Sequence, residues 1–503
     1  MSETFTLTGN RGLDLEEKLI FEQNKDGRTA VDLPDVPAHE NRLGAAKRKR
    51  PIGLPGLSEP QVVRHYVRMS RNNYAIDAGI YPLGSCTMKH NPRLNEKMAR
   101  TPGLADLHPL QLQSSVQGAL ALMNELARWL TTLTGMPAVA LSPAAGAHGE
   151  LTGLMAIRAA LEARGDARKV VLVAESAHGT NPASAHMCGY EVESVASTQD
   201  GRVDLDALKA RLGPDVAAFM VTNPNTCGLF EDRIVDISKA VHEAGAFVYC
   251  DGANFNAIVG RVRPGDLGVD AMHLNLHKTF STPHGGGGPG SGPVTFSAAL
   301  APFAPLPYVI KEGESFRLVE HEGEGDAKPY GRMKGFHGQF GVFVRALSYM
   351  LSMGSDGLRQ ASADAVLNAN YLRARLHNAL SLSYPGACMH EVLFDDRFLA
   401  ETGVTTLDFA KAMIDEGVHP MTMYFPLIVH GAFLIEPTET ESRASLDLLA
   451  DLMLGLVAKA KAKEADFFKA SPTLAPRRRL DETRAARSPI LRWKPPAQKQ
   501  AAE

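Results

Sequence analysis

The sequence predicts an α/β protein with a large, mainly parallel sheet, followed by a smaller C-terminal α+β domain. Three observations carry this. From about residue 146 to 280, short apolar runs without polar alternation recur between amphipathic helical stretches, the pattern of a sheet covered by helices on both faces. Four of those runs end in polar clusters punctuated by Gly or Pro, where the ligand site of such a sheet lies. Beyond about residue 330 the texture changes to two long helical stretches, then strand material, then a last helix.

In chain order, residues 1–60 are polar and rich in Pro and Gly and read as an extended N-terminal arm. Residues 61–325 form the large domain. Within it, 116–134 carry Val116, Leu120, Met123, Ala127 and Leu130 at helical spacing, with Gly135 as the stop. Helices are expected at 149–164, 203–213 and 232–245, and strands at 169–174, 217–221, 246–250 and 272–276. Residues 326–465 form the small domain, with helices at 338–354 and 356–380, strand material at 420–438 and a helix near 440–465. Residues 466–503 are a basic, Pro-rich tail.

Whole-chain properties narrow the class. With 503 residues the chain is too long for one simple core. A formal net charge of −3 gives no global basic field for nucleic acid. Five cysteines, an odd number with no CxxC pair, argue against a disulfide framework or structural zinc, so no metal is expected. No leader-like start and no long apolar run is evident, and a cytoplasmic protein without membrane association is expected.

The polar clusters are Ser176–Pro182 (SAHGTNP), Thr222–Gly228 (TNPNTCG), Asp251–Asn254 (DGAN) and His277–Thr279 (HKT). Asp251 and Lys278 end neighbouring predicted strands. A P-loop is excluded, because its glycines precede the lysine, whereas here four glycines, Gly285–Gly288, follow it. Pyridoxal phosphate fits better. Its aldehyde needs an amine for an imine, supplied by Lys278, and its ring nitrogen needs a carboxylate, supplied by Asp251. A protonated His277 would help Lys278 lose its proton. The small residues Ala144, Ala145, Gly146 and Ala147 stand before a predicted helix and allow backbone N–H groups to approach a phosphate. His178 has the chain position for stacking on the ring. Ala253, with Asn254 beside it, is small enough for the other ring face, and the glycine run leaves room for a cofactor.

The stretches SRNNYAIDAGIYPLGSCTMKHNP, SPAAGAHGELTGLMAIRA, SAHGTNPAS, TNPNTCGLFE, YCDGANFNAI, HLNLHKTFSTPHGGGGPG and YFPLIVHGAFLIEPTETES together resemble the glycine decarboxylase P protein family, in its separate second subunit or the C-terminal half of its fused form. Departures are Cys250, His90 and Ala412, where the family commonly has an aromatic residue, Tyr and Arg. The resemblance implies a type I pyridoxal-phosphate-dependent transferase fold and glycine decarboxylation, with transfer of the aminomethyl group to the lipoyl arm of an H protein. It implies Lys278, His178 and Asp251 as catalytic residues, the Ala145–Ala147 loop at the phosphate, and Ser85, Cys86 and Thr87 near glycine. It also implies a first subunit as partner in an α2β2 assembly. The arm and the basic tail are the expected contact surfaces for that partner, and Arg477–Arg479, Arg484, Arg487 and Arg492 would also receive an acidic H protein.

Two other readings remain open from residues alone. An aminotransferase would use Arg345 or Arg373 for a substrate carboxylate, and a desulfurase would use Cys388 as a mobile nucleophile. A non-catalytic supporting subunit would have no use for the Lys278–Asp251 pair.

Overall fold

A computed structural model describes residues 17–35, 37, 40, 42–50, 52–285, 290–323, 327–475 and 477–494. Gly286, Gly287 and Gly288 of the glycine run, the first residues of the arm and the end of the tail lie outside the described residues. The chain forms two compact units, one drawn from the ranges Met1–Tyr74 and Asp466–Glu503, the other Ala75–Ala465.

In the first unit, α1 (Glu59–Arg71) starts with Pro60 in its first turn, where a missing N–H costs nothing. Gln61 Oε1 accepts the Ser58 N–H at 3.0 Å. The Glu17 carboxylate takes two bonds from Arg68, at 2.6 and 2.8 Å, and one contact from His65 at 2.9 Å. The Arg68 bonds hold Glu17 down to about 2. Phe21 and Trp493 stack with centroids 5.2 Å apart, so the arm and the C-terminal segment meet.

The second unit begins with α2 (Arg93–Ala99) and α3 (Gln117–Thr134); Gly135 ends α3 at φ 71°, a left-handed stop that glycine adopts without strain. Then follow β1 (Ala138–Ala140), α4 (Gly146–Ala163), β2 (Val170–Ala174), α5 (Thr180–Met187), β3 (Glu191–Val195), α6 (Leu205–Arg211), β4 (Val216–Thr222), α7 (Ile234–Glu243), β5 (Phe247–Gly252), β6 (Ala271–Leu274), the single turn α8 (Leu276–Thr279) and β7 (Val294–Phe296). Their sheet has the order β1-β7-β6-β5-β4-β2-β3. Strands β3, β2, β4, β5 and β6 are parallel, and β7 runs antiparallel to both β6 and β1. The expected mainly parallel sheet is present, with one antiparallel strand, β7, between β6 and the edge strand β1, that no apolar run in the sequence announced.

Alternation along the strands makes two cores. Leu172, Phe219, Val248 and Met272 pack on one face with Leu126 and Leu130 of α3 and Ile237 of α7. Val171, Met220, Tyr249 and Ala271 pack on the other with Leu154, Ile157 and Leu161 of α4. Each large aliphatic side chain buried this way contributes about 1.5–3 kcal/mol relative to exposure.

Two local expectations are corrected. The strand expected over 272–276 stops at Leu274, and Leu276 begins α8, so Lys278 stands on a helical turn. The Asn181–Pro182 pair, of a kind that commonly marks turns, lies instead in the first turn of α5, where proline suits the fixed φ.

After the hairpin β8 (Tyr308–Glu312) and β9 (Ser315–Val319), α9 (Phe340–Leu376) is interrupted at Gly354, φ 65° and ψ −175°, which divides it into two helices. Then come β10 (Ser381–Leu382), β11 (Val392–Asp395), α10 (Thr406–Asp415), β12 (Thr422–Met423), β13 (Phe433–Ile435) and α11 (Arg443–Lys461). The order β10-β11-β13-β12 is antiparallel throughout. Among the described residues no helix is long and apolar enough to cross a membrane.

Candidate active site

The carboxyl ends of β2, β4, β5 and β6 lie side by side, so the four polar clusters converge because their strands are neighbours. Side-chain alternation selects which residues face α4. On β5 these are Tyr249 and Asp251, on β6 Ala271 and His273, and Asp251 is the register partner of His273. Helix α4 approaches this face closely because Gly149 and Gly153 have no side chain. A Cβ at Gly149 would lie 2.6 Å from His273 Cβ, and one at Gly153 would lie 2.4 Å from Tyr249 Cε2.

A buried hydrogen-bonded chain runs along this face. The Tyr249 hydroxyl lies 2.7 Å from His273 Nδ1. His273 Nε2 faces two acceptors, Asp251 Oδ1 at 3.2 Å and Asn275 Oδ1 at 3.1 Å. Two acceptors at Nε2 assign the imidazole proton there and leave Nδ1 to accept from Tyr249. Burial keeps His273 below its ordinary pKa, outweighing the pull of Asp251. Asp251 also accepts from Asn181 Nδ2 at 3.0 Å and from the Ala253 N–H at 2.9 Å. Burial opposes its ionisation, but His273, these two donors and Lys278 outweigh it, so the carboxyl stays below the usual range.

Asp251 and Lys278 line one cavity of about 250 Å³. Lys278 Nζ donates to the Ser85 carbonyl at 2.9 Å. The expectation of a protonated His277 is not met: burial, with His284 and Lys278 nearby, pushes His277 down to about 3, and its Nδ1 accepts the Ser291 N–H at 3.3 Å. His284 is lowered likewise, to about 4, and its Nε2 donates to the Cys86 carbonyl at 2.9 Å. Both rings are therefore neutral near pH 7. The His178 ring lines the cavity on a solvent-exposed side, with the Phe425 ring 5.5 Å away. Partial burial and Lys278 lower its pKa against the pull of Asp251, and its Nδ1 accepts the Thr180 N–H at 3.3 Å.

Gly146 and Ala147, the first two residues of α4, also line the cavity. Ala145, extended at φ −161°, is the residue before the helix and offers no side-chain cap. First-turn N–H groups have no acceptor within a helix and carry its positive end. Thr222 Oγ1, on the cavity wall, is buried and has no hydrogen-bond partner in the protein. An open helix N-terminus, an orphaned hydroxyl, an ionised carboxylate and an amine together fit pyridoxal phosphate, whose phosphate, ring nitrogen and aldehyde call for these groups.

The structure brings Gly146, Ala147, His178, Asp251, Ala253, Asn254, His277, Lys278, Ser85 and Cys86 to this cavity. Ala145 and Thr87 do not line it. Thr87 is buried, and its hydroxyl donates to Glu436 Oε1 at 2.5 Å. Sequence reasoning passed over His273, Glu150 and Asn275, which also line the cavity. A histidine inside an otherwise apolar strand, and a glutamate one turn into a helix of small residues, were the signals available. The side chains weighed for other reactions lie elsewhere. Arg345 is paired with Glu96 at 2.8 and 3.0 Å, and burial pushes the Cys388 thiol up to about 12. Among the described residues lining the cavity, none is an arginine.

Comparisons with known proteins give the chain's relatives in sequence and in fold. Residues 361–473 match the family model "Glycine dehydrogenase, C-terminal domain", and residues 150–288 match "Aminotransferase class-V". The chain is 66% identical over 496 residues, 98% of this chain and 95% of the relative, to a Caulobacter vibrioides protein named "Probable glycine dehydrogenase (decarboxylating) subunit 2". A Thermotoga maritima protein of the same name is 52% identical over 94% of this chain and 99% of its own length. In fold the chain is similar to a crystal structure of glycine decarboxylase (P-protein) of the glycine cleavage system in inhibitor-bound form, with TM-score 0.70 and 22% identity over 82% of this chain and 93% of that one. A sphingosine-1-phosphate lyase of Burkholderia pseudomallei shares the fold at TM-score 0.60 and 14% identity, covering 85% of this chain and 96% of that one.

Proposed function

The chain belongs to the glycine dehydrogenase (decarboxylating) subunit 2 family, a pyridoxal-phosphate-dependent group of enzymes, and from that premise we propose that it decarboxylates glycine and passes the aminomethyl group to the lipoyl arm of an H protein. The observation that carries this reading is the presence of Lys278 and Asp251 in one cavity with the open N-terminus of α4.

Lys278 would hold the cofactor covalently through its amine. Gly146 and Ala147 would meet the phosphate with their N–H groups, with Ala145 setting the turn before them. Bound there, pyridoxal phosphate supplies an electron sink for the pair left when the glycine carboxylate departs as CO2. Asp251, kept ionised by Asn181 Nδ2 and the Ala253 N–H, would hold a proton on the ring nitrogen. His178 and Ala253 would bound the two ring faces, with Asn254 supporting the wall: its Nδ2 donates to the Pro224 carbonyl at 3.0 Å. Neutral His277 would pack beside the lysine without competing for charge.

Ser85 and Cys86 would face glycine. The lack of arginine among the described lining residues suits a carboxylate that must leave, since a tight clamp would stabilise substrate as much as transition state. A first subunit, implied by the family name, would complete the enzyme, in an α2β2 assembly.

The test is visible absorption of the purified chain, alone and with its first subunit, followed by borohydride reduction and peptide mass mapping. A pyridoxyl adduct on Lys278, together with glycine–CO2 exchange that needs a lipoylated H protein, is the expected result. An adduct on another lysine would overturn the assignment of Lys278, and transamination of glycine without exchange would overturn the reaction.

A further inference from the structure

The segment from Gly84 to Lys89 crosses from the C-terminal sheet to Lys278, and it is held by buried glutamates. Leu83 bridges to Ile435 of β13, and Gly84 lies so close that a Cβ there would stand 2.5 Å from the Leu434 carbonyl oxygen. Ser85 and Thr87 have φ of 64° and 45°, conformations that residues with side chains avoid. Each is met by a glutamate. The Ser85 N–H donates to Glu391 Oε2 at 2.8 Å, and the Thr87 N–H donates to Glu436 Oε2 at 2.9 Å, with the Thr87 hydroxyl on the other oxygen. Lys89 Nζ completes the anchorage, reaching Glu439 Oε1 at 2.6 Å, Asn256 Oδ1 at 2.8 Å and the Thr279 carbonyl at 2.8 Å, one residue beyond Lys278.

While the Ser85 and Thr87 N–H groups meet the glutamates, two carbonyls of the segment meet the residues around Lys278. The Ser85 carbonyl accepts from Lys278 Nζ, and the Cys86 carbonyl accepts from His284 Nε2.

We propose that Glu391 and Glu436 are positioning residues, which hold the Ser85–Thr87 backbone in its left-handed turns and thereby set the Ser85 carbonyl against the Lys278 amine. This rests on Lys278 being the cofactor lysine. The amine is aimed by a backbone oxygen whose place depends on two buried glutamates, one just before β11 and one just after β13. The Thr87 hydroxyl serves this anchorage and does not bind glycine.

Three variants, assembled with the first subunit, test it. Glu436→Gln leaves one acceptor for two donors, Glu391→Leu removes the acceptor of the Ser85 N–H, and Glu391→Gln restores an acceptor. The readouts are the rate at which the cofactor-stripped complex captures added pyridoxal phosphate, followed by its visible band, and kcat against KM for glycine–CO2 exchange. Glu436→Gln and Glu391→Leu are expected to slow capture and lower kcat by about 10–100-fold, the size of effect that displacement of a reacting group by about 1 Å produces, while KM changes less. Glu391→Gln is expected to recover most of the capture rate. If Glu436→Gln does not fold, Thr87→Val removes one of its two bonds and carries the same expectation at smaller size. Wild-type capture and kcat with only a lower melting temperature would overturn the inference. A wild-type complex with no adduct on Lys278 would overturn the cofactor reading, and this inference with it.

Discussion

Glu150 shows how much one buried carboxyl on the cavity wall responds to its surroundings. Thr180 and Ser184 hydroxyls donate to it at 2.7 and 2.9 Å, yet burial, reinforced by the charge of Asp251, raises it to about 7. Between its ordinary 4.5 and about 7 the folded chain keeps a proton that the unfolded chain has lost. Stability from this group is therefore full below about 4.5 and declines as pH rises through 7. The shift corresponds to about 3 kcal/mol at most. Replacing Glu150 with Gln removes the titration, so the melting temperature of the variant, followed by calorimetry from pH 5 to 8, should fall less across that range than that of the wild type. Parallel curves would contradict the buried-carboxyl reading. Asp251, one strand-end away, has the opposite fate, because it receives Asn181, the Ala253 N–H and His273. Two acids in one cavity are thus driven apart, Glu150 upward by burial and the Asp251 charge, Asp251 downward by His273 and its donors, and sequence composition cannot distinguish them.

At the scale of elements, the contact of α4 with β5 and β6 builds the site. The helix lies close enough to put its N-terminus over the strand ends because its glycines face Tyr249 and His273. Gly153→Ala would place a methyl 2.4 Å from the Tyr249 ring, in a core with no slack. A loss of about 1–3 kcal/mol is expected, measured as a lower denaturant midpoint, together with a weaker Tyr249–His273 hydrogen bond. An unchanged midpoint would mean the helix can shift. Most of these elements were legible. Apolar runs gave away β2, β4 and β5 to within a residue or two, because buried parallel strands have no polar face. Strands β1 and β7, of three residues each, were not, since so short a run has no period to read. Nor was α5, whose start is masked by the Asn-Pro pair.

At the scale of the molecule, the arm and the tail share one compact unit and meet at the Phe21–Trp493 stack, while Glu17 of the arm pairs with Arg68 of α1. A chain whose relatives are named as a second subunit should not act alone. Mixed with its first subunit, this 54.2 kDa chain is expected to sediment as a single species with two copies of each subunit. Separate boundaries for the two chains at micromolar concentration would overturn that stoichiometry.

Local chemistry decided which residues were candidates. A lysine followed by glycines, an aspartate at the end of an apolar run and small residues before a helix each announce a role, because backbone reach, charge and strand period are properties of short segments. The long-range pairings were settled in space. Strand order set Asp251 beside His273, burial made His277 neutral, and Glu436, 349 residues from Thr87, took the hydroxyl that had been expected at the substrate. Such contacts follow from the sum of all packing in the fold, and no segment of sequence carries them alone.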